Sequence, residues 1–194
     1  MNAVKNTPLF NVYNAGSIQK KSCYQVVLVR YYTKLSLIRC LSSNQSLLLR
    51  SLYQGVMSSK KIESSKAPEP VGLYPHARQV GNLLFLSGVG PRERGTKKIP
   101  GVELDDQGNI LSYDIEEQCH SVFNNVRTIV EESASSWDKV VDVTVFLTNM
   151  KDDFKTYNRI YAEYFADNQP CRTTIEIKSL PTPIAIELKV IATI

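Results

Sequence analysis

From Ile184 to Ile194 every second residue is apolar: Ile184, Ile186, Leu188, Val190, Ala192 and Ile194. Successive side chains of an extended strand point to opposite sides, so this pattern demands a strand with one buried face. A strand of that kind cannot stand alone. It needs paired neighbours and a layer to cover its apolar side.

The rest of the C-terminal part supplies both. Ala77 to Ser87 contains two short strand-like runs around Gly81-Asn82, a tight hairpin signal. Val140 to Leu147 is a strand with Val141, Val143, Val145 and Leu147 expected on one face, and Cys171 opens another before a proline-marked turn. Asp114 is placed to cap a helix, with Glu117 three positions on and Ile115, Cys119, Val122, Val126 and Ile129 spaced by three and four. Ser133 to Ser136 ends it. A second helix is expected over Asp152 to Phe165, with Phe154, Tyr157, Tyr161 and Tyr164 as a core stripe. Arg92 to Gly108 reads as a mobile surface loop with a short edge strand at Val102 to Leu104. The order β-β-α-β-α-β-β implies an α+β fold, a mixed sheet with two helices on one face. The other face would expose Val140, Phe146, Ala185 and Ile191. Uncovered apolar surface of that sort calls for a partner, so a closed homo-oligomer is expected.

The formal net charge of +4 is unevenly placed. Residues 1–56 hold seven Lys and Arg and no Asp or Glu, which leaves 16 Lys+Arg against 19 Asp+Glu, or −3, for 57–194. A mildly acidic body is a poor partner for a phosphate backbone, so nucleic acid is not expected. The basic, acid-free segment 1–56, rich in Ser and Leu, has the composition of a mitochondrial transit peptide. Met57 is an alternative start, which would leave the protein cytoplasmic. Residues 57–70, polar with Pro68 and Pro70, read as a flexible arm, and 71–194 as the domain. No apolar run approaches the ~20 residues of a membrane span. The four cysteines form no CxxC pair and only two histidines exist, so a metal site would be hard to assemble.

Chemistry concentrates near the last two strands. Arg172 heads one and Glu187 lies within the other. A guanidinium fork matches a carboxylate with two hydrogen bonds, and a carboxylate beside it can move protons or orient water. On residues alone, Arg172 is equally a surface charge, Glu187 a solvent-facing strand residue, Ser87 a strand end and Asn158 a helix neighbour of Tyr157. His76 is an ordinary loop histidine or a titrating group beside Tyr74.

Five segments carry a resemblance. They are Val80-Gly-Asn-Leu-Leu-Phe-Leu-Ser-Gly88, Val143-Thr-Val-Phe-Leu-Thr-Asn-Met150, Tyr157-Asn-Arg-Ile-Tyr-Ala-Glu-Tyr-Phe165, Pro170-Cys-Arg-Thr-Thr174 and Ile186-Glu-Leu-Lys-Val-Ile-Ala192. In this order they resemble the RidA/YjgF family of enamine/imine deaminases over residues 70–194. The resemblance implies a chorismate-mutase-like fold, a homotrimer with sites between subunits, and cofactor-independent hydrolytic deamination of a small carboxylate-bearing enamine or imine. By motif, Arg172 resembles the family's carboxylate-binding arginine and Glu187 its proton-handling glutamate. Tyr74, Ser87 and Asn158 resemble substrate-binding residues. No cofactor or metal is implied, because a protonated imine is already electrophilic. Gly72-Leu-Tyr-Pro-His76, Val89 and Gly90-Pro-Arg-Glu-Arg94 depart from the common pattern and look more like the 2-aminomuconate deaminase branch than the 2-aminoacrylate branch. A non-catalytic ligand-binding or chaperone-like protein on the same fold, and a ribonuclease, are the rival readings.

Overall fold

The computed structural model describes residues 58–194, so the transit-peptide expectation for 1–56 lies outside the described residues. Strands are β1 (Ser59–Ile62), β2 (Ala77–Val80), β3 (Leu83–Leu86), β4 (Val102–Leu104), β5 (Ile110–Tyr113), β6 (Val140–Leu147), β7 (Cys171–Glu176) and β8 (Ile186–Thr193). The helices are α1 (Ile115–Glu132) and α2 (Met150–Phe165). Six strands form one mixed sheet in the order β1-β2-β3-β8-β6-β7, and β4-β5 make a separate ribbon. Only β6 and β7 run parallel, as a strand–helix–strand crossover through α2 allows. No helix among the described residues is long and apolar enough to cross a membrane.

The expected α+β architecture holds, with both helices packed on the sheet. Gly81, at φ +60°, turns the β2–β3 hairpin. The Asp114 carboxylate accepts the amides of Glu116 and Glu117 at 2.8 and 3.2 Å and starts α1. The Asn149 side chain does the same for α2 through the Asp152 amide. Cys119, Val122, Phe123 and Val126 of α1 and Tyr157, Ile160 and Phe165 of α2 are buried in one core with Val143, Val145, Ile186, Leu188 and Val190. Each such side chain contributes ~1.5–3 kcal/mol when withdrawn from water.

Four expectations need correction. The register of β6 on β8 shifts between Val140 and Asp142, a bulge that takes Val141 out of the row. Val140 therefore points inward at 2% exposure while Val141 is 42% exposed. Ala185 is also buried, because it precedes β8 and donates its amide to Gln118 Oε1 of α1 at 2.8 Å. Phe154 lies outside the core arc of α2. The inward position is taken by Asp153, which accepts the Tyr113 hydroxyl at 2.8 Å.

The fourth correction concerns the arm. Ser59 to Ile62 pair with β2, and Ser64 to Lys66 close around Glu132 at the end of α1. That carboxylate accepts both serine hydroxyls and the amides of Ser65 and Lys66, and these bonds hold it down at about 2. The loop after β3 is tied to the same segment: Arg92 and Arg94 each donate at 2.7 Å to the carbonyls of Glu69 and Ala67.

Candidate functional site

Beyond β3 the chain continues extended, and Val89 exchanges backbone hydrogen bonds with Leu188 of β8 at 2.8 and 2.9 Å. That bridge brings Ser87 and Gly88 beside Glu187. A Cβ on Gly88 would lie 2.5 Å from Glu187 Oε1, so only glycine leaves the carboxylate its place. Tyr74, Ser87, Gly88, Arg92, Glu187 and Lys189 line an open cleft of about 300 Å³. Burial raises the Glu187 carboxyl above its ordinary range, with the positive charge of Arg92 working against it.

Ser87 spends its hydroxyl proton on the Pro75 carbonyl at 2.6 Å. Its oxygen is left as an acceptor, and it is no nucleophile. The Tyr74 hydroxyl accepts the Val71 amide at 3.3 Å. His76, uncertain from sequence, is a structural pin. Its Nδ1 accepts the Ser64 amide at 3.0 Å and its Nε2–H donates to the Pro68 carbonyl at 3.1 Å. Those two bonds assign a neutral ring, so the Glu63 carboxylate 3.3 Å from Nδ1 is not a true ion pair.

Arg172 and Asn158 lie elsewhere. Arg172 is opposite Val143 in the β6–β7 register, and Val143 belongs to the row that faces the helices. Glu187 is opposite Phe146, one residue out of phase with that row. Within a chain the two side chains are thus on opposite faces of the sheet and do not meet. On its face the guanidinium donates to Asn158 Oδ1 at 2.8 Å and lies 4.6 Å from the Tyr161 ring centre and 5.7 Å from that of Tyr157. Such faces attract a cation. The tyrosine stripe is therefore core and platform at once, where the sequence suggested core only. Burial pushes the Tyr157 hydroxyl up to about 12, against the opposing Arg172 charge, so it stays protonated.

The structure thus assembles Tyr74, Ser87 and Glu187 into one cluster and Arg172 with Asn158 into another. Sequence reasoning missed the contributions of Gly88 and Lys189. Lys189 was legible as the residue two beyond Glu187 on the same strand face. Among the described residues no cluster of three or more His, Cys, Asp or Glu is placed to hold a metal.

The family model described as Endoribonuclease L-PSP matches residues 64–194. The chain belongs to that family, the RidA/YjgF family. The Reactive Intermediate Deaminase A, chloroplastic, of Arabidopsis thaliana is 32% identical over 163 residues, covering 84% of this chain and 81% of its own. The mitochondrial protein MMF1 of Saccharomyces cerevisiae is 32% identical, covering 73% of this chain and 88% of its own. Organellar relatives therefore exist. The crystal structure of E. coli TdcF with bound serine superposes with a TM-score of 0.60 at 29% identity, over 70% of this chain and 98% of that one.

Proposed function

We propose that this protein catalyses the hydrolytic deamination of an enamine or imine carboxylic acid, in a cleft completed by two subunits of a homotrimer. The observation that carries this reading is the split of the site: each chain holds an acid cluster and a cation cluster on opposite faces of one sheet. The outer face also presents Val80, Leu83, Val141 and Ile175 at 36–42% exposure, apolar area suited to a second copy. The name of the Arabidopsis relative and the serine bound by TdcF support a small amino-acid-derived ligand.

In this mechanism the Arg172 fork of one subunit binds the substrate carboxylate bidentately. The enamine takes a proton at carbon and becomes the imine. Glu187 of the next subunit accepts a proton from water as the oxygen bonds to the imine carbon. It then returns that proton to the nitrogen, and as the C–N bond breaks the new hydroxyl releases its own proton, replacing the one taken up at carbon, to give the ketone and ammonia. A raised carboxyl suits this exchange, since burial strengthens its hold on the proton that it must take and return. Among substrates 2-aminomuconate fits the segments 72–76 and 90–94 best, with 2-aminoacrylate-type imines second. Delivery by residues 1–56 to the mitochondrion accompanies this reading, and mass spectrometry of the mature N-terminus checks it.

Mixing two dead variants tests the proposal. Arg172→Ala and Glu187→Gln should each lose ammonia release while remaining trimeric. Randomly mixed trimers should recover about a quarter of the original turnover, because half the cations and half the acids survive independently. No recovery would place both groups in one chain's site and sink the reading. Binding without ammonia release would favour the ligand-binding alternative. RNA cleavage would favour the ribonuclease, although both histidines are committed, His120 to the Tyr164 hydroxyl at 2.9 Å.

A further inference from the structure

The Glu187 cleft holds more positive charge than one carboxylate needs. Four cations stand near it in sequence on the loop after β3, and the structure separates them. Arg94 pairs with Glu69 at 3.4 Å and Lys98 with Glu93 at 3.1 Å. Lys97 lines a different groove, along β4–β5. Arg92 alone of the four lines the cleft, and among the described residues its guanidinium has one hydrogen bond, to the Glu69 carbonyl, and no ion pair. Lys189 joins it from β8, exposed and with no hydrogen bond or ion pair to its side chain among the described residues. Arg92 is close enough to oppose the rise of the Glu187 carboxyl, yet makes no ion pair with it.

We propose that Arg92 and Lys189 form the seat for a second carboxylate, so that the site selects dicarboxylic enamines and imines over monocarboxylic ones. This rests on the deaminase reading above. Counting Glu187 as ionised, the cleft carries two cations and one anion, a net +1. The arginine brought by the partner subunit raises that to +2, the charge that a dicarboxylate neutralises. A monoacid held by that arginine leaves Arg92 and Lys189 facing solvent with nothing to bind. The Ser87 hydroxyl does not compete for the anion. Ser87 has already given its proton to Pro75, so its oxygen can accept an N–H from the substrate but cannot donate to a carboxylate. Arg92 and Lys189 are the cationic donors that this chain brings to the cleft. Arg92 suits the role because its fork keeps N–H groups uncommitted, and Lys189 adds a point charge beside the catalytic acid.

Binding of unreactive acids to the full-length protein isolates this seat from the chemistry. The probes are cis,cis-muconate and sorbate, six-carbon chains with two carboxylates and one, compared by titration calorimetry at low salt. The expected result is muconate bound at least about tenfold tighter than sorbate, a preference that shrinks as salt rises. Arg92→Gln and Lys189→Gln should each bring the ratio toward one. Equal affinities in the unaltered protein, or a ratio untouched by both substitutions, overturns the seat. Lys189 is exposed and its side chain makes no hydrogen bond or ion pair among the described residues, so its variant decides the matter if loss of Arg92 disturbs the arm. Ammonia release from 2-aminoacrylate with no muconate preference would sink the seat alone. A muconate preference with no ammonia from either imine would sink the deaminase reading and leave the seat standing.

Discussion

The two faces of the sheet prepare their charges in opposite ways. Arg172 is exposed on an edge strand, but its guanidinium is fixed by Asn158 and the faces of Tyr157 and Tyr161. Glu187 is half-buried over a glycine, with burial disfavouring its charge. A cation that must grip an anion gains from being presented in a set orientation, since its charge does not need tuning. An acid that must take and return a proton gains from seclusion, which lifts its proton affinity. In the proposed deaminase, one face serves geometry and the other proton exchange.

The contrast breaks most sharply at Gly88. Gly88→Ala should push the carboxylate aside and lower ammonia release by ~10²-fold, the usual result of misplacing a catalytic group by an ångström. Carboxylate binding by Arg172 should survive, and titration with serine reads it. On the other face, Asn158→Ala removes one charge-assisted hydrogen bond, worth ~1.5 kcal/mol or roughly a tenfold rise in KM. An unchanged KM would mean that the tyrosine rings alone orient the guanidinium.

A pH profile sharpens the comparison further. Turnover should rise with pH through a midpoint above the ordinary carboxylate value of about 4.3. Arg92→Gln should move the midpoint further up, because the one opposing positive charge is gone. A downward move would contradict the electrostatics of the cleft. The smallest effect concerns the arm. The Glu132 carboxyl is depressed when folded, so its contribution is complete above the unfolded value of about 4.3 and is lost as pH falls toward about 2. Glu132→Gln should lower the melting temperature slightly at pH 7, and the gap to the unaltered protein should close across that acid window.

Local chemistry carried much of this in plain view. Gly81-Asn82, the Asp114 cap and the alternation of β8 each depend on residues a few positions apart. Arg172 and Glu187 stand out by their chemistry on the last two strands and Tyr74, Ser87 and Asn158 through a resemblance, but their sorting onto two faces was not legible. For Arg172 and Glu187 that sorting follows from which residue of β6 each one opposes, a matter of pairing register between distant segments. The bulge at Val141 escaped notice for the same reason, since it exists only against β8. The Gly88–Glu187 approach joins positions 88 and 187, and nothing near either signals it. The arm looked loose because its partners, Arg78 and Glu132, are remote in sequence and its own composition is polar.

The docking of Ser64 and Ser65 on Glu132 sets a limit on how much of the chain's front end can be removed. Proteolytic maturation anywhere within 1–56, or translation from Met57, keeps β1 and both serines. A cut a dozen residues further on would strip β2 of its neighbour and leave the His76 ring without the amide that holds Nδ1.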